Sequence, residues 1–294
     1  MTRVLVTGSE GFLGKKTVTR LKREGYIVYT LDIVGSGEKH YVGDIAVIDL
    51  DPIFSDAAPE IVVHTAAQTD VMRSFEDPGR DFLTNAYGTL RLVNASQKIK
   101  VKTFVYIHSG GAVYDSNQSM PLSEHSSEKP ISPYGVSKRA GENIVQIMCK
   151  QNGINWASLA LSNVYGNVHE NPKGVIYEFW KRLIDQRECQ INGLETTRDF
   201  IHVDDVIEAI FLAFANPPNV RVNISSGVET SLLELHELIC KVLGISQKAR
   251  IMNPREGEVL RSCLSNKLAD QLLHWKPKMS ISDGLVSAFS EREF

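Results

Sequence analysis

Val4-Leu5-Val6-Thr7-Gly8-Ser9-Glu10-Gly11-Phe12-Leu13-Gly14 is the stretch from which the fold can be read. Four apolar or β-branched residues in a row suit a short strand covered on both faces, the kind found in parallel sheets. Three glycines at GxxGxxG spacing follow at once, and then the amphipathic run Phe12-Glu24. That order is a strand, a tight turn and a helix start. Glycine is demanded there because the turn is sharp and the backbone has to touch an anion. The helix N-terminus offers free N–H groups and a partial positive charge to the same anion. A glycine triplet alone is a weak signal; its position between the first strand and the first helix makes it a strong one. Gly8, Gly11 and Gly14, with Phe12 and Leu13 between them, are therefore expected to cradle the pyrophosphate of a dinucleotide.

Working outward, the next apolar run, Ile27-Leu31, ends at Asp32, 18 residues after Gly14. A carboxylate at that point accepts both ribose hydroxyls of adenosine and repels a 2′-phosphate. Ile33-Val34-Gly35-Ser36-Gly37 adds no Arg or Lys to welcome such a phosphate. The cofactor expected is NAD. Gly43-Asp44-Ile45 is read as a loop that brings Asp44 and Ile45 toward the adenine edge. Ile61-His64, Phe104-His108 and Ala157-Leu161 are further strand candidates. The helical stretches Asp81-Lys98 and Tyr134-Asn152 lie between them. Strand-helix alternation predicts an α/β fold with a doubly wound, Rossmann-type parallel sheet. After residue 165 the pattern loosens into Gly174-Gln186, Val203-Ala215, Leu232-Leu243 and Asn266-Leu273, joined by polar and Pro-containing segments. The expected organisation is a cofactor domain over 1–165 and a smaller mixed α/β lobe over 166–294, with some later segments returning to the first.

Ser132-Pro133-Tyr134-Gly135-Val136-Ser137-Lys138 holds Tyr and Lys four residues apart, about one helical turn, so both share a face. Pro133 suits a helix start. A free phenol titrates near 10, too high for a base at neutral pH. A neighbouring ammonium and a positive nicotinamide ring are expected to lower it, so that Tyr134 takes a hydroxyl proton while hydride leaves the same carbon. Lys138 is also positioned to reach the nicotinamide ribose.

Composition narrows the partners. The 294 residues are 43% hydrophobic and 23% charged, with a net charge of -3. That balance gives no footprint for nucleic acid or an anionic membrane. No apolar run approaches the ~18 to 20 residues of a membrane span. The apolar start is too short for a signal peptide and runs straight into glycine, so no targeting segment is expected. Cys149, Cys189, Cys240 and Cys263 are scattered, which suits free thiols in a reducing cytosol and gives no support for a metal site.

With these residues in place, the chain resembles the extended short-chain dehydrogenase/reductases, and within them nucleotide-sugar epimerases of the UDP-galactose 4-epimerase type. The resemblance runs through Gly8 to Gly14, Gly43-Asp44-Ile45, His64-Thr65-Ala66-Ala67-Gln68, Asn85-Ala86-Tyr87-Gly88-Thr89 and Ser109-Gly110-Gly111-Ala112-Val113-Tyr114. It continues through Tyr134 to Lys138, Asn163-Val164-Tyr165-Gly166, Thr197 to Val206 and Arg255-Glu256-Gly257-Glu258. It implies that Ala66 and Ala67 line the cofactor path and that Asn85 supports the nicotinamide half. It further implies that Asn163, Arg198 and Arg255 hold the diphosphate of a UDP-sugar, and that Glu258 meets the nucleotide ribose. Asp199, His202, Asp204 and Asp205 are read as groups that hold the loop and cap the next helix. The resemblance also implies a homodimer through helices 81–98 and 134–152, where Leu90, Leu92, Val93, Ile144, Val145, Ile147 and Met148 are the apolar candidates. The reaction implied is epimerisation of a nucleotide-activated hexose at C4 through a 4-keto sugar.

Three positions depart from the family pattern. Gly110 stands where Ser or Thr is usual, which leaves Ser109 as the nearest hydroxyl for the catalytic role. Ala160 replaces an Arg, and Asp115-Ser116-Asn117 follows Tyr114 where Gly is usual. Other readings stay open on the same scaffold: an NDP-sugar dehydratase or decarboxylase, a net dehydrogenase, and a non-catalytic NDP-sugar-binding protein. Gly110-Gly111-Ala112 lacks the acidic residues that dehydration and decarboxylation call for.

Overall fold

A computed structural model describes residues 1–253 and 259–290 of the chain. The strands are β1 Arg3–Thr7, β2 Ile27–Asp32, β3 His40–Val42, β4 Ile61–His64, β5 Thr103–Ser109, β6 Asn155–Leu161, β7 Asn163–Tyr165, β8 Gln190–Asn192, β9 Thr197–Arg198, β10 Phe200–His202, β11 Arg221–Ile224, β12 Thr230–Ser231 and β13 Arg250–Met252. Seven of them form one sheet in the order β11-β6-β5-β4-β1-β2-β3, and every neighbouring pair is parallel. This is a Rossmann-type sheet. Strand order reverses between β1 and β4, the switch point at whose carboxyl ends sheets of this kind take a ligand. Val6, Val63, Val105 and Ala157 are buried in register across the middle, as strands covered on both faces require.

The helices are α1 Phe12–Arg23, α2 Leu50–Ala57, α3 Val71–Glu76, α4 Pro78–Phe82, α5 Gly88–Lys98, α6 Pro133–Asn152, α7 Gly174–Ile184, α8 Val203–Ala215, α9 Leu232–Leu243, α10 Lys267–Leu273 and α11 Ile281–Phe289. One face of the sheet packs on α2, α5 and α6 through Phe54, Leu92, Val93, Val145 and Cys149. The other packs on α1, α8 and α10 through Leu21, Val206, Ile210, Phe214 and Leu273. A third cluster joins α7, α9 and α11 through Ile176, Phe179, Leu235, Ile239 and Leu285. Ser132 starts α6 by accepting from Gly135 N at 3.1 Å, with Pro133 in the first turn, and Gly153 ends it at φ +67°.

The sheet is not finished at residue 165. β11 adds to its edge, paired with β6, and α8 and α10 cover one face. Neither β3 nor β11 follows from apolar patterning, because each is only three or four residues long and opens on a polar residue. The stretch expected as one helix from Asp81 to Lys98 is broken by a π-helical turn at Leu83–Tyr87, a form found mostly as short insertions at functional sites. Of the apolar candidates for an interface, Leu92, Val93 and Val145 are fully buried against the sheet, whereas Ile147 is exposed. No described helix is long and apolar enough to cross a membrane. All four cysteines are free and buried.

Candidate active site

The glycine turn joins β1 to α1 at the carboxyl end of the sheet. Gly8 has φ +71°, and a Cβ there would lie 2.5 Å from Ala66 N. At Gly14 a Cβ would lie 2.0 Å from Gly8 O. The backbone of the turn thus packs on itself and on the chain leaving β4, with no room for a side chain. No side chain caps the start of α1, and the Ser9 hydroxyl is buried without a partner. Asp32, at the end of β2, accepts from Glu10 N at 2.8 Å and from Ile33 N at 2.7 Å. Those bonds fix the carboxylate and leave lone pairs on each oxygen. A pyrophosphate over uncapped N–H groups and a ribose at Asp32 are what this cradle fits, and its donor set suits NAD. Asp44 accepts from Ala46 N at 2.8 Å and is paired with Arg80. Ile45 is buried where a Cβ on Gly88 would otherwise stand.

The first turns of α6 carry Tyr134 and Lys138 on the buried face, beneath β5. Ser109 ends β5, and its hydroxyl interacts with the Tyr134 phenol. The expected substitution of Ser109 for the usual residue at position 110 is therefore the one geometry offers. Gly110 points elsewhere: a Cβ on it would lie 2.5 Å from Leu264 Cδ1. Lys138 Nζ donates to Ile107 O at 2.6 Å and lies 4.3 Å from the Tyr106 ring centre. Burial pushes the Tyr134 phenol up to about 12, with the Ser109 hydrogen bond pulling against it and Asp81 adding to it. Burial brings Lys138 down to about 7, against the pull of Asp81 and Glu142. The expected depression of the phenol by its lysine is thus absent from the protein by itself. A dry site penalises both charges, and loss of solvation outweighs their attraction.

Behind this pair lie charges that sequence reading did not single out. Asp81 and Asn85 are 1% exposed, and both hydrogen bond to Ser137. Glu142, one turn beyond Lys138, accepts from Ser158 Oγ at 2.7 Å and from Arg221 Nε at 2.7 Å, and Arg139 Nη1 lies 2.6 Å away. Ala160 is fully buried in β6, and guanidinium groups in this part of the molecule come from Arg221 on the adjoining strand and Arg139 on α6. Tyr114 donates to Asn223 Oδ1 at 2.9 Å beneath Arg221. Asp115 closes a turn by accepting from Asn117 N at 3.0 Å. The one available signal for Asp81 and Glu142 was their four-residue spacing from Asn85 and Lys138.

The opposite wall comes from later segments. Asn163 opens β7 and is exposed, its N–H bonded to Asp199 O at 2.9 Å. Arg198 in β9 donates to Thr197 O at 2.7 Å and Leu260 O at 3.2 Å. Arg255 and Glu258 lie outside the described residues. Asp199 is fully buried and collects Ser162 Oγ at 3.0 Å, Ser226 N at 2.9 Å, Ser226 Oγ at 2.7 Å, and Gly227 N and Leu264 N at 3.2 Å. His202 caps α8 by accepting from Asp204 N at 3.3 Å. Asp205 holds Lys278 N at 3.1 Å and Met279 N at 3.0 Å. These groups hold the loop and its helix.

Residues 4–225 match the model of the NAD dependent epimerase/dehydratase family. The UDP-glucose 4-epimerase of Mycolicibacterium smegmatis is 34% identical, over 97% of this chain and 96% of that protein. The crystal structure of UDP-glucose 4-epimerase from Thermotoga maritima with UDP-glucose superposes with a TM-score of 0.92 at 34% identity, covering 97% of this chain and 96% of that one. The Thermus thermophilus UDP-glucose 4-epimerase in complex with NAD gives 0.88 at 29% identity, covering 98% and 97%. With a glycine turn, a carboxylate ending β2 and a Ser-Tyr-Lys cluster at the carboxyl end of β5, this chain belongs to the NAD-dependent epimerase/dehydratase family.

Proposed function

We propose that the chain is a 4-epimerase of a UDP-linked hexose that retains NAD between turnovers. The observation that carries this reading is the Ser109–Tyr134–Lys138 cluster, with Tyr134 and Lys138 buried, in a sheet whose first strand runs into a glycine turn closed to side chains. Gly8, Gly11, Phe12, Leu13, Gly14, Asp32, Asp44, Ile45, Ala66, Ala67 and Asn85 are assigned to the cofactor with Tyr134 and Lys138. NAD held there would supply a hydride acceptor and donor for C4 and a positive ring in the site.

Tyr134 removes the proton from the 4-hydroxyl and returns it once the 4-keto sugar has presented its other face. Ser109 hydrogen bonds the same oxygen and supports the phenolate, and Lys138 holds the ribose side. Asn163, Arg198, Arg255 and Glu258 are assigned to the nucleotide diphosphate, which stays fixed while the sugar turns; guanidinium forks suit that grip. The segments beyond residue 165 that do not return to the sheet are assigned to this sugar-nucleotide lobe. Dehydration has less support, because the residues after Ser109 bring no acid: a Cβ on Gly111 would meet only Ser262 Oγ, at 3.1 Å. Exposed Phe82, Leu83 and Tyr87 at the end of α4 and in the π-helical turn, with exposed Val136 and Ile147 on α6, support a homodimer through 81–98 and 134–152. Sedimentation at micromolar concentration is expected to give twice the monomer mass.

The decisive assay incubates the enzyme with NAD and a panel of UDP-sugars and identifies products by NMR. Inversion at C4 is expected with no steady rise at 340 nm. Tyr134→Phe should lower kcat by about 10²–10⁴-fold, the range of a lost general acid–base. Binding of NAD and UDP-sugar with no turnover across the panel would sink the proposal.

A further inference from the structure

Asp81 sits in α4, against the catalytic helix, and is 1% exposed. Three donors converge on it: Ser137 Oγ, Gln68 Nε2 at 2.8 Å and Asn85 Nδ2 at 3.2 Å. The orientation of both amides is fixed by backbone donors. Gln68 Oε1 accepts from Asp70 N at 2.6 Å, and Asn85 Oδ1 accepts from Gln68 N at 2.9 Å. Each amide therefore turns its NH2 toward Asp81. The two amides present N–H donors to the carboxyl, the partners a carboxylate accepts from, while the Ser137 hydroxyl also lies 3.0 Å from Tyr134 O. Among the described residues no salt bridge reaches Asp81, and a buried charge without a partner is costly. Its nearest link to a cation is Ser137, the residue before buried Lys138.

We propose that the Asp81 carboxylate is the fixed counter-charge of the Tyr134–Lys138 pair, a positioning residue that keeps Lys138 an ammonium in a dry site. It links three parts at once: the loop after β4, the π-helical turn that carries Asn85, and α6. The π-helical turn sets the register that lets Asn85 reach Gln68 and Ser137 together.

The other charged and titratable groups around Lys138 do not replace it. Glu142 on α6 is shared with Arg221 and Arg139. His64 on β4 and His108 on β5 are both held down to about 3 by burial, hence neutral. Burial raises the phenol of Tyr106, beneath Nζ, well above 10. Asp81 acts upward on both Lys138 and Tyr134.

This rests on the catalytic reading above, and the test separates the two. In protein carrying ¹³Cε-lysine, with Lys138→Met for assignment, the Lys138 midpoint is followed by NMR without any sugar. Asp81→Asn is expected to lower it by about one pH unit. Both limbs of the kcat–pH profile should move to lower pH, with KM for the sugar little changed. Ser137→Ala removes a hydrogen bond and keeps the charge, so it should leave the midpoint in place. Gln68→Glu combined with Asp81→Asn moves the charge by one hydrogen bond, although one carboxylate oxygen then faces Asp70 O, which Gln68 Nε2 meets at 2.8 Å. It should restore at least half of the shift, and it decides the matter if Asp81→Asn alone does not fold. The proposal is overturned by an unmoved midpoint in Asp81→Asn, by an equal shift in Ser137→Ala, or by no recovery in the double variant. Failure to epimerise any UDP-sugar would sink the function above and leave this titration standing.

Discussion

The two walls of the cleft are held by different physics. The cofactor wall is one contiguous turn, Gly8 to Gly14, closed by backbone packing so tight that a Cβ on Gly14 would stand 2.0 Å from Gly8 O. The wall proposed for the substrate is assembled from segments far apart in the chain, near residues 162, 226 and 264, all hydrogen bonded to Asp199. Steric closure is local and independent of charge. A hub is only as firm as its donors, and removing it loosens every segment together. The cofactor wall should therefore fail by losing its ligand, and the substrate wall by losing its structure.

The largest effect that would break this comparison is expected at Gly14. Gly14→Val should reduce NAD affinity by about 100-fold or more, read by calorimetry, and, because its Cβ meets backbone, should cost the fold at least the ~1–3 kcal/mol of ordinary overpacking. NAD binding within a few-fold of wild type would show that the turn is not closed.

Asp199→Asn should come next. One acceptor oxygen then faces donors that two served, at a cost of about 1–3 kcal/mol for each donor left unpaired in the interior. Denaturant unfolding should show the loss. UDP affinity should fall further than NAD affinity, and an equal fall in both would mean that the walls are not separable.

The smallest effect concerns the sheet beneath both walls. His64 bridges Thr7 Oγ1 at 2.8 Å and Thr89 Oγ1 at 2.9 Å, so it ties β1, just before the glycine turn, to α5. Burial holds its folded pKa at about 3, as it does for His108. Unfolded, both titrate near 6.5, so between pH 6.5 and 3 the unfolded chain binds more protons. Stability should therefore fall as pH drops through that window. A His64→Gln variant should show a shallower decline, and an unchanged slope would remove His64 from the account.

Part of the site was legible because its chemistry is local. The glycine spacing, the carboxylate ending the second strand and the Tyr-Lys pair on one helical turn each need only a few consecutive residues. Asp81, Glu142 and Arg221 were not legible. On an amphipathic helix or at a strand start, charges like these usually mark solvent-facing positions, and here their solvent is replaced by partners 50 to 80 residues away. The π-helical turn was hidden for a similar reason. Leu83–Tyr87 has no Gly or Pro to mark it. The phenol of Tyr134 shows the limit most directly. Its spacing from Lys138 suggested a lowered pKa, and burial raises it to about 12.

What the sequence by itself determined is the α/β class, the glycine turn and its preference for NAD, and the one-turn spacing of Tyr134 and Lys138. Those follow from sterics and hydrogen-bonding groups within single strand-turn-helix units. Only the tertiary structure decided that β11 and α8 complete the first sheet and that Ser109, not position 110, meets Tyr134. It alone decided that Asp199 gathers the substrate wall and that buried carboxylates stand behind the catalytic helix. These depend on distance and solvation between residues remote in the chain, and a one-dimensional pattern carries neither.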